Sequence, residues 1–322
     1  VTPARRPALA AALLLTLLPA ACGGRDAPPP SAGGWAWAKL EGLANATGVT
    51  VHRGDLLLVA GGGDTALHVV PLAGLRHGGT ARARRVEFQT HPNSRLEGRD
   101  DGDGFLSHGY DLGDLWPQGV DFQGVATRTT TDGWEFLYVA ERSYRVVYRG
   151  RLDRAPTGEI TSAVLQTAFP VPGANRSASK ASDWRDKGAG LAGIVSAGER
   201  RVAEDLYVAE RESPEPGRFR IFKTDMFGQP LLHFTVRLAG EPPAAVEDVS
   251  FADERFVVVR GPGRGLLVSI QDPGAMGLAA PRAGVPGPEL PGAGPWQGIA
   301  HDPAGTVYLV SHGPETLIAW RR

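Results

Sequence analysis

The hexapeptide LYVAER occurs twice, at Leu137–Arg142 and again at Leu206–Arg211, 69 residues further on. Each copy ends in an acid–base pair, Glu141–Arg142 and Glu210–Arg211. Two chemistries suit such a pair. The planar guanidinium fork matches carboxylates and phosphates, so arginines at a mouth grip an anionic or polyhydroxylated ligand. Alternatively, each pair ties a turn or a neighbouring unit as a structural ion pair. A second candidate is RDDGDGF, where Asp100, Asp101 and Asp103 stand together. Spaced carboxylates and glycines can wrap Ca²⁺, but the EF-hand spacing fails, and a solvated loop is the competing reading.

Other reactive residue types form no recognisable pattern. The eight histidines show no H-x-H or HExxH, so a zinc hydrolase has no support. Ser196 lies in IVSAG, which is not a nucleophile elbow. Ser107, His108 and Asp111 are near in sequence, but a catalytic triad is a spatial arrangement, and adjacency does not establish one.

The elements that must carry these residues repeat. QGVA at 123–126 precedes the first LYVAER, and AGIV at 192–195 precedes the second. A further β-rich run follows each copy, YRVVYRGRLD and RFRIFKTD. The same order recurs at TGVT (47–50), EDVS (247–250) and QGIA (297–300), which precede LLLVAGGGD, FVVVRGPGR and VYLVSHGPE. These runs are rich in Val, Ile, Leu, Phe and Tyr and bounded by Gly, Pro and Asp, as strands are. Fourth strands follow three of the units, at 83–89, 160–169 and 230–238; the fourth unit offers no convincing one.

Units of four strands repeated around an axis predict an all-β chain, a β-propeller of four-stranded blades. Five blades are legible. Unit starts lie 76, 69, 55 and 50 residues apart, wider than the roughly 40–50 of common propeller repeats. A sixth blade would have to stand at 90–120, where RDDGDGFLSHGYDLGD does not read as strands. The last unit stops after its third strand, and WAWAKLEG (35–42) precedes the first unit without a partner. That N-terminal strand is expected to close the last blade and cover an open edge.

The alternation of (E/Q)-G-(I/V/L)-A with LYVAER and a short apolar strand resembles the SdiA-regulated and esterase-like phytase propeller families. The resemblance covers most of residues 45–322. It implies a propeller, often six-bladed, in exported bacterial proteins, with calcium or phosphoester chemistry in some members. The glutamate of that E-G step is here Gln123, Ala192 and Gln297, and Glu247 alone keeps the acid.

In a propeller, the start of each first strand and the end of each second strand meet on one face. That face is expected to gather Asp121, Gln123, Glu141, Arg142, Glu210, Arg211, Glu247, Asp248, Arg260, Trp296, Gln297 and His312. It also receives three long connections, 90–120, 170–190 and 272–296. Loops of about 20 residues without structure are uncommon and often functional.

Bulk composition and the N-terminus set the context. Apolar residues make up 42% of 322, enough for a sizeable core, and Gly 43 with Pro 26 indicate many turns. The net charge of −1, with no basic stripe, does not favour a nucleic-acid partner. Arg5 and Arg6 precede a short apolar run over 8–18, then LPAAC with Cys22, the single cysteine. This reads as a lipoprotein signal peptide over 1–21, with Cys22 the lipidated residue. The lipobox departs from the usual spacing, with Leu18 one residue too early, so a secreted or periplasmic protein is the alternative. Residues 22–34 form a Pro/Gly tether, and 35–322 form the propeller domain. The expected protein is exported, anchored to a membrane through Cys22, and binds a small molecule or envelope protein. The alternative is a Ca²⁺-dependent propeller hydrolase acting on phosphoesters or esters.

Overall fold

The computed structural model describes residues 34–96, 120–142, 146–171, 191–196, 205–210, 218–225, 230–238, 245–252, 255–261, 266–271, 282–289 and 296–322. Among these the chain is all-β, with a single 3-10 turn at Leu72–Gly74.

The chain enters as β1 (Ala36–Glu41). The first unit follows as β2 (Ala46–His52), β3 (Asp55–Ala60), β4 (Ala66–Pro71), a short β5 (Thr80–Arg82) and β6 (Arg84–Leu96). The second comprises β7 (Phe122–Thr129), β8 (Glu135–Glu141), β9 (Val146–Arg154) and β10 (Ile160–Pro170). The third is β11 (Leu191–Ser196), β12 (Asp205–Glu210), β13 (Arg218–Asp225) and β14 (Pro230–Leu238). The fourth is β15 (Ala245–Ala252), β16 (Arg255–Gly261), β17 (Leu266–Gln271) and β18 (Arg282–Glu289). The last is β19 (Trp296–His301), β20 (Val307–Ser311) and β21 (Thr316–Arg321).

Within each unit the strands pair antiparallel in sequence order, save that β4 pairs directly with β6. The first strands touch in a cycle: β2 meets β7, β7 meets β11, β11 meets β15, β15 meets β19, and β19 returns to β2. The result is a propeller-like ring. Outer strands join neighbouring units in parallel, β6 with β10 and β14 with β18, so three continuous sheets result.

The N-terminal strand behaves as its unpartnered position suggested. β1 pairs antiparallel with β21, from Ala36 opposite Trp320 to Leu40 opposite Thr316. Its outer edge is covered by β5 in parallel, which the sequence did not disclose.

Two expectations are corrected. The fourth unit does have a fourth strand, β18, RAGVPGPE, paired with β17 and β14. Its glycines and prolines hide it, because strand propensity rests on β-branched and aromatic residues; Pro286 and Pro288 lie past the 282–284 stretch paired with β14, where the pairing with β17 is irregular. Consequently 272–296 is not a structureless connection. The stretch from 90 also starts as strand, since β6 continues to Leu96. Residues 97–119 and 172–190, with the remainder of those expected loops, lie outside the described residues.

Strand alternation explains the apolar letters of LYVAER. Leu137 and Val139 enter the core shared with Leu57 and Val59 of the first unit. Tyr138 and Ala140 enter the core shared with Leu206 and Val208 of the third. The side chains of β3 divide likewise: Leu57 and Val59 face the second unit, while Leu56, Leu58 and Ala60 face Tyr308, Val310 and Ile318. A strand packed on both faces needs a near-continuous apolar run, because successive residues point opposite ways.

Candidate functional site

One irregularity recurs in every unit. The pairing of first and second strands slips between Ala46 and Gly48, Phe122 and Gly124, Leu191 and Gly193, Val246 and Asp248, and Trp296 and Gly298. Each slip is a β-bulge that leaves one residue out of the ladder: Thr47, Gln123, Ala192, Glu247 and Gln297. A bulge bends its strand and re-aims the extra side chain. The five bulges stand at one level of the ring. A β-carbon on Gly48 would fall 2.6 Å from Gln123 O, and one on Gly298 would fall 3.2 Å from Thr47 O. The glycine after the bulge is therefore what lets neighbouring first strands approach.

Around this level the structure brings together several of the expected residues. Asp121 is the centre of a polar knot. Its Oδ1 accepts Gln123 Nε2–H at 2.8 Å and the Gly62 N–H at 3.3 Å, and its Oδ2 pairs with Arg142 Nε at 3.2 Å. Its own N–H donates to Glu141 Oε1 at 2.8 Å, and its carbonyl accepts the Arg142 N–H at 3.0 Å. Gly61 makes room for the knot: a β-carbon there would sit 2.6 Å from Asp121 Oδ1. Thr47 Oγ1 donates to Phe122 O at 2.6 Å, linking the first and second units.

The two LYVAER glutamates are buried, Glu141 at 0% and Glu210 at 1% exposure. Glu141 bonds within its own unit, as just described. Glu210 takes a two-pronged pair from Arg220 on β13, at 2.7 Å from Nε and 2.5 Å from Nη2. These bonds raise the Arg220 pKa above its ordinary value, against burial. Arg142 keeps about a third of its side chain in solvent.

Trp296 is a core residue that packs with Trp35, Ile299 and Leu309. Gln297 is half-buried. His312 is also half-buried, and its Nδ1 is buried without a hydrogen-bond partner. Glu247 and Asp248 are both buried. Arg260 holds a place in β16 opposite Val246 and Leu266. Arg211, the carboxylate loop Asp100, Asp101 and Asp103, and Cys22 lie outside the described residues. Among the described residues, no three or more His, Cys, Asp or Glu are placed to hold a metal.

The Asp248 carboxyl spans two units. Oδ1 accepts the Val249 N–H at 2.8 Å, and Oδ2 accepts the Ile299 N–H from the next unit at 2.9 Å. Complete burial pushes its pKa well above the ordinary carboxylate range, although N–H bonds from Ile299, Val249 and Val49 oppose the shift.

The sequence did not single out a second charged cluster, at the other end of β2. His52 Nε2 lies 2.6 Å from Glu135 Oε2, and Arg53 and Arg154 hold the same carboxylate at 2.6 and 2.9 Å. Burial pushes Glu135 up, but the bonds from His52 and Arg154 outweigh it and hold the carboxylate below its ordinary value. His52 is lowered, by burial foremost. Arg53 and Gly54 have φ of 49° and 84°, the backbone of a two-residue hairpin turn. Only the fold brings together residues more than 80 positions apart, so nothing in the sequence marks this inter-unit strut.

What the bulge level can do chemically is hydrogen-bond recognition. Gln123 is buried and its amide is bonded to Asp121, so the groups this level leaves to a ligand are the half-buried Gln297 and His312 and the partly exposed Arg142 and Asp121.

No family model matches the chain, and no curated protein matches it in sequence. Solved structures similar to it include the PQQ-bound aldose sugar dehydrogenase from Streptomyces coelicolor, at 14% identity and TM-score 0.47, covering 92% of this chain and 99% of that one. Myxococcus xanthus glutaminyl cyclase is similar at 14% identity and TM-score 0.42, covering 88% and 93%. A streptogramin B lyase is similar at 11% identity and TM-score 0.41, covering 89% and 97%. At such identities and scores, the functional reading is left to this chain's own residues.

Proposed function

We propose that this chain is an exported, lipid-anchored β-propeller of five four-stranded blades that binds a polar ligand, or a polar segment of an envelope protein, at its bulge level. The carrying observation is the slip at the same register position in all five first strands. A bulge costs ladder hydrogen bonds, and its use next to sites is to re-aim a side chain. Five at one level supply a ring of re-aimed residues, four of them polar: Thr47, Gln123 and Glu247, which are buried, and Gln297, which is half-buried. The chain of first-strand contacts around the ring supports the blade count.

The binding reading is tested on the purified mature chain by thermal shift against polyols, small carboxylates and phosphoesters, with and without Ca²⁺. Stabilisation by one class in the parent, lost in Gln123→Ala/Gln297→Ala, supports the reading. Equal stabilisation of both proteins overturns this placement of the site. Turnover of a phosphoester that requires Ca²⁺ moves the protein to the hydrolase class.

The anchor rests on Cys22 after LPAA and the tether that follows it. Cys22→Ser is expected to leave the precursor unprocessed or free the protein from the detergent phase. Unchanged processing and partitioning would remove the lipid anchor from the proposal.

A further inference from the structure

The five first-strand motifs can be superposed by strand register rather than by letters. Gly124 opposes Ala140, Gly193 opposes Ala209, Gly298 opposes Val310 and Gly48 opposes Val59. The residue in the same place in the fourth blade is Asp248, opposite Val259. Four blades thus have glycine where neighbouring first strands approach closely, and one has a carboxylic acid.

The carboxyl reaches beyond its own blade. Its Oδ1 fills the space left by Gly193 in the third blade, where a β-carbon would come within 2.0 Å of it. It accepts N–H bonds from Val249 in its own blade and Ile299 in the fifth. One side chain therefore joins three of the five blades, the third, fourth and fifth. Asp248 is 1% exposed, so the N–H groups it meets have no water to replace it. A buried amide left without a partner destabilises the fold.

We propose that the inner level of the ring holds a carboxyl-binding nest, built from the Val249 and Ile299 N–H groups and the space at Gly193, which the chain fills with its own Asp248 as a clasp. Backbone N–H groups converging on one point form a site for a small anion or carboxylic acid. Here the ligand is supplied in cis, and it holds the two blades that donate to it against the third blade, where Gly193 leaves it room. This site is separate from the ligand proposed for the bulge residues, and it stands or falls independently of that function.

The repeat pattern and the clasp make opposite predictions for one substitution. If only close approach mattered, Asp248→Gly would restore the residue used by the other four blades and raise or preserve stability. If Asp248 is a bound ligand, Asp248→Gly empties the nest. The variant, in the full mature chain, is expected to melt at lower temperature than the parent. Formate, titrated at mildly acidic pH so that neutral formic acid is also present, is expected to shift the variant's midpoint back upward and to saturate; the parent, with its nest filled, should not respond. Sodium chloride at equal ionic strength controls for salt. A variant that melts at or above the parent overturns the proposal, and so does an equal response of both proteins to formate. Should the variant fail to fold alone, recovery on refolding in formate supports the nest, and no recovery overturns it.

Discussion

Gly48 and Gly124 face each other across two neighbouring first strands so closely that a β-carbon on Gly48 would fall 2.6 Å from the Gly124 Cα. The contact is backbone against backbone, so no flexible side chain can yield. Gly48→Ala is expected to cost about 1–3 kcal/mol, the usual penalty for overpacking. Gly74→Ala is the control, because a β-carbon there meets nothing within 4 Å. Urea unfolding midpoints decide: equal values for the two variants would mean that the ring relaxes at this step.

Burial places the Asp248 pKa well above the ordinary carboxylate range, with the Glu247 charge adding to the rise and backbone N–H groups opposing it. A carboxyl whose folded pKa exceeds its unfolded one is protonated preferentially in the fold. Its contribution to stability is complete below the unfolded pKa and is lost as pH climbs through the folded one. Between pH 4 and 8, parent stability should decline relative to Asp248→Asn. Parallel stability curves for the two proteins across that range would contradict the shift.

β1 is the closing strand of the ring and carries a row of pairings with β21. Trp35 and Ala38 are buried in two separate cores. Deleting residues 35–42 should therefore lower the melting temperature far more than deleting residues 23–33. Removal of the strand exposes an unpaired edge, and aggregation on heating is expected to accompany it. Equal melting temperatures for the two deletions would show that β1 adds nothing to closure.

The two LYVAER copies are expected to separate on mutation. Glu210 is buried and receives both prongs of Arg220, which leaves a quarter of its side chain in solvent. Glu210→Ala strands that cation and should cost about 2–3 kcal/mol, below the ~3–5 of a fully buried pair. Arg142 is a third exposed and pairs with Asp121, so Arg142→Ala should cost about 0–1 kcal/mol. Chemical denaturation of both variants checks the ranking. A reversed order would mean that Asp121 depends on Arg142 more than its other bonds imply.

The sequence by itself determined the all-β class, the five repeats and the strand that pairs with the last one, since each is written in local composition and in recurrence along the chain. The apolar letters of LYVAER were legible as strand, because a run buried on both faces must be apolar throughout. The sequence could not determine which residues leave the ladder. A bulge is a relation between two strands, and TGVT, QGVA and QGIA carry no mark of the slip until they are paired. For the same reason it could not decide whether Glu210 would face a ligand or Arg220, which stands on the adjacent strand. β18 was invisible because RAGVPGPE is a strand by position rather than propensity. Asp248 is the sharpest case. Alignment of EDVS with QGVA shows an aspartate in place of a glycine, but its meaning rests on the amide of Ile299, from the last unit, and on the space at Gly193, from the third. Only the packing of neighbouring units brings them to one carboxyl.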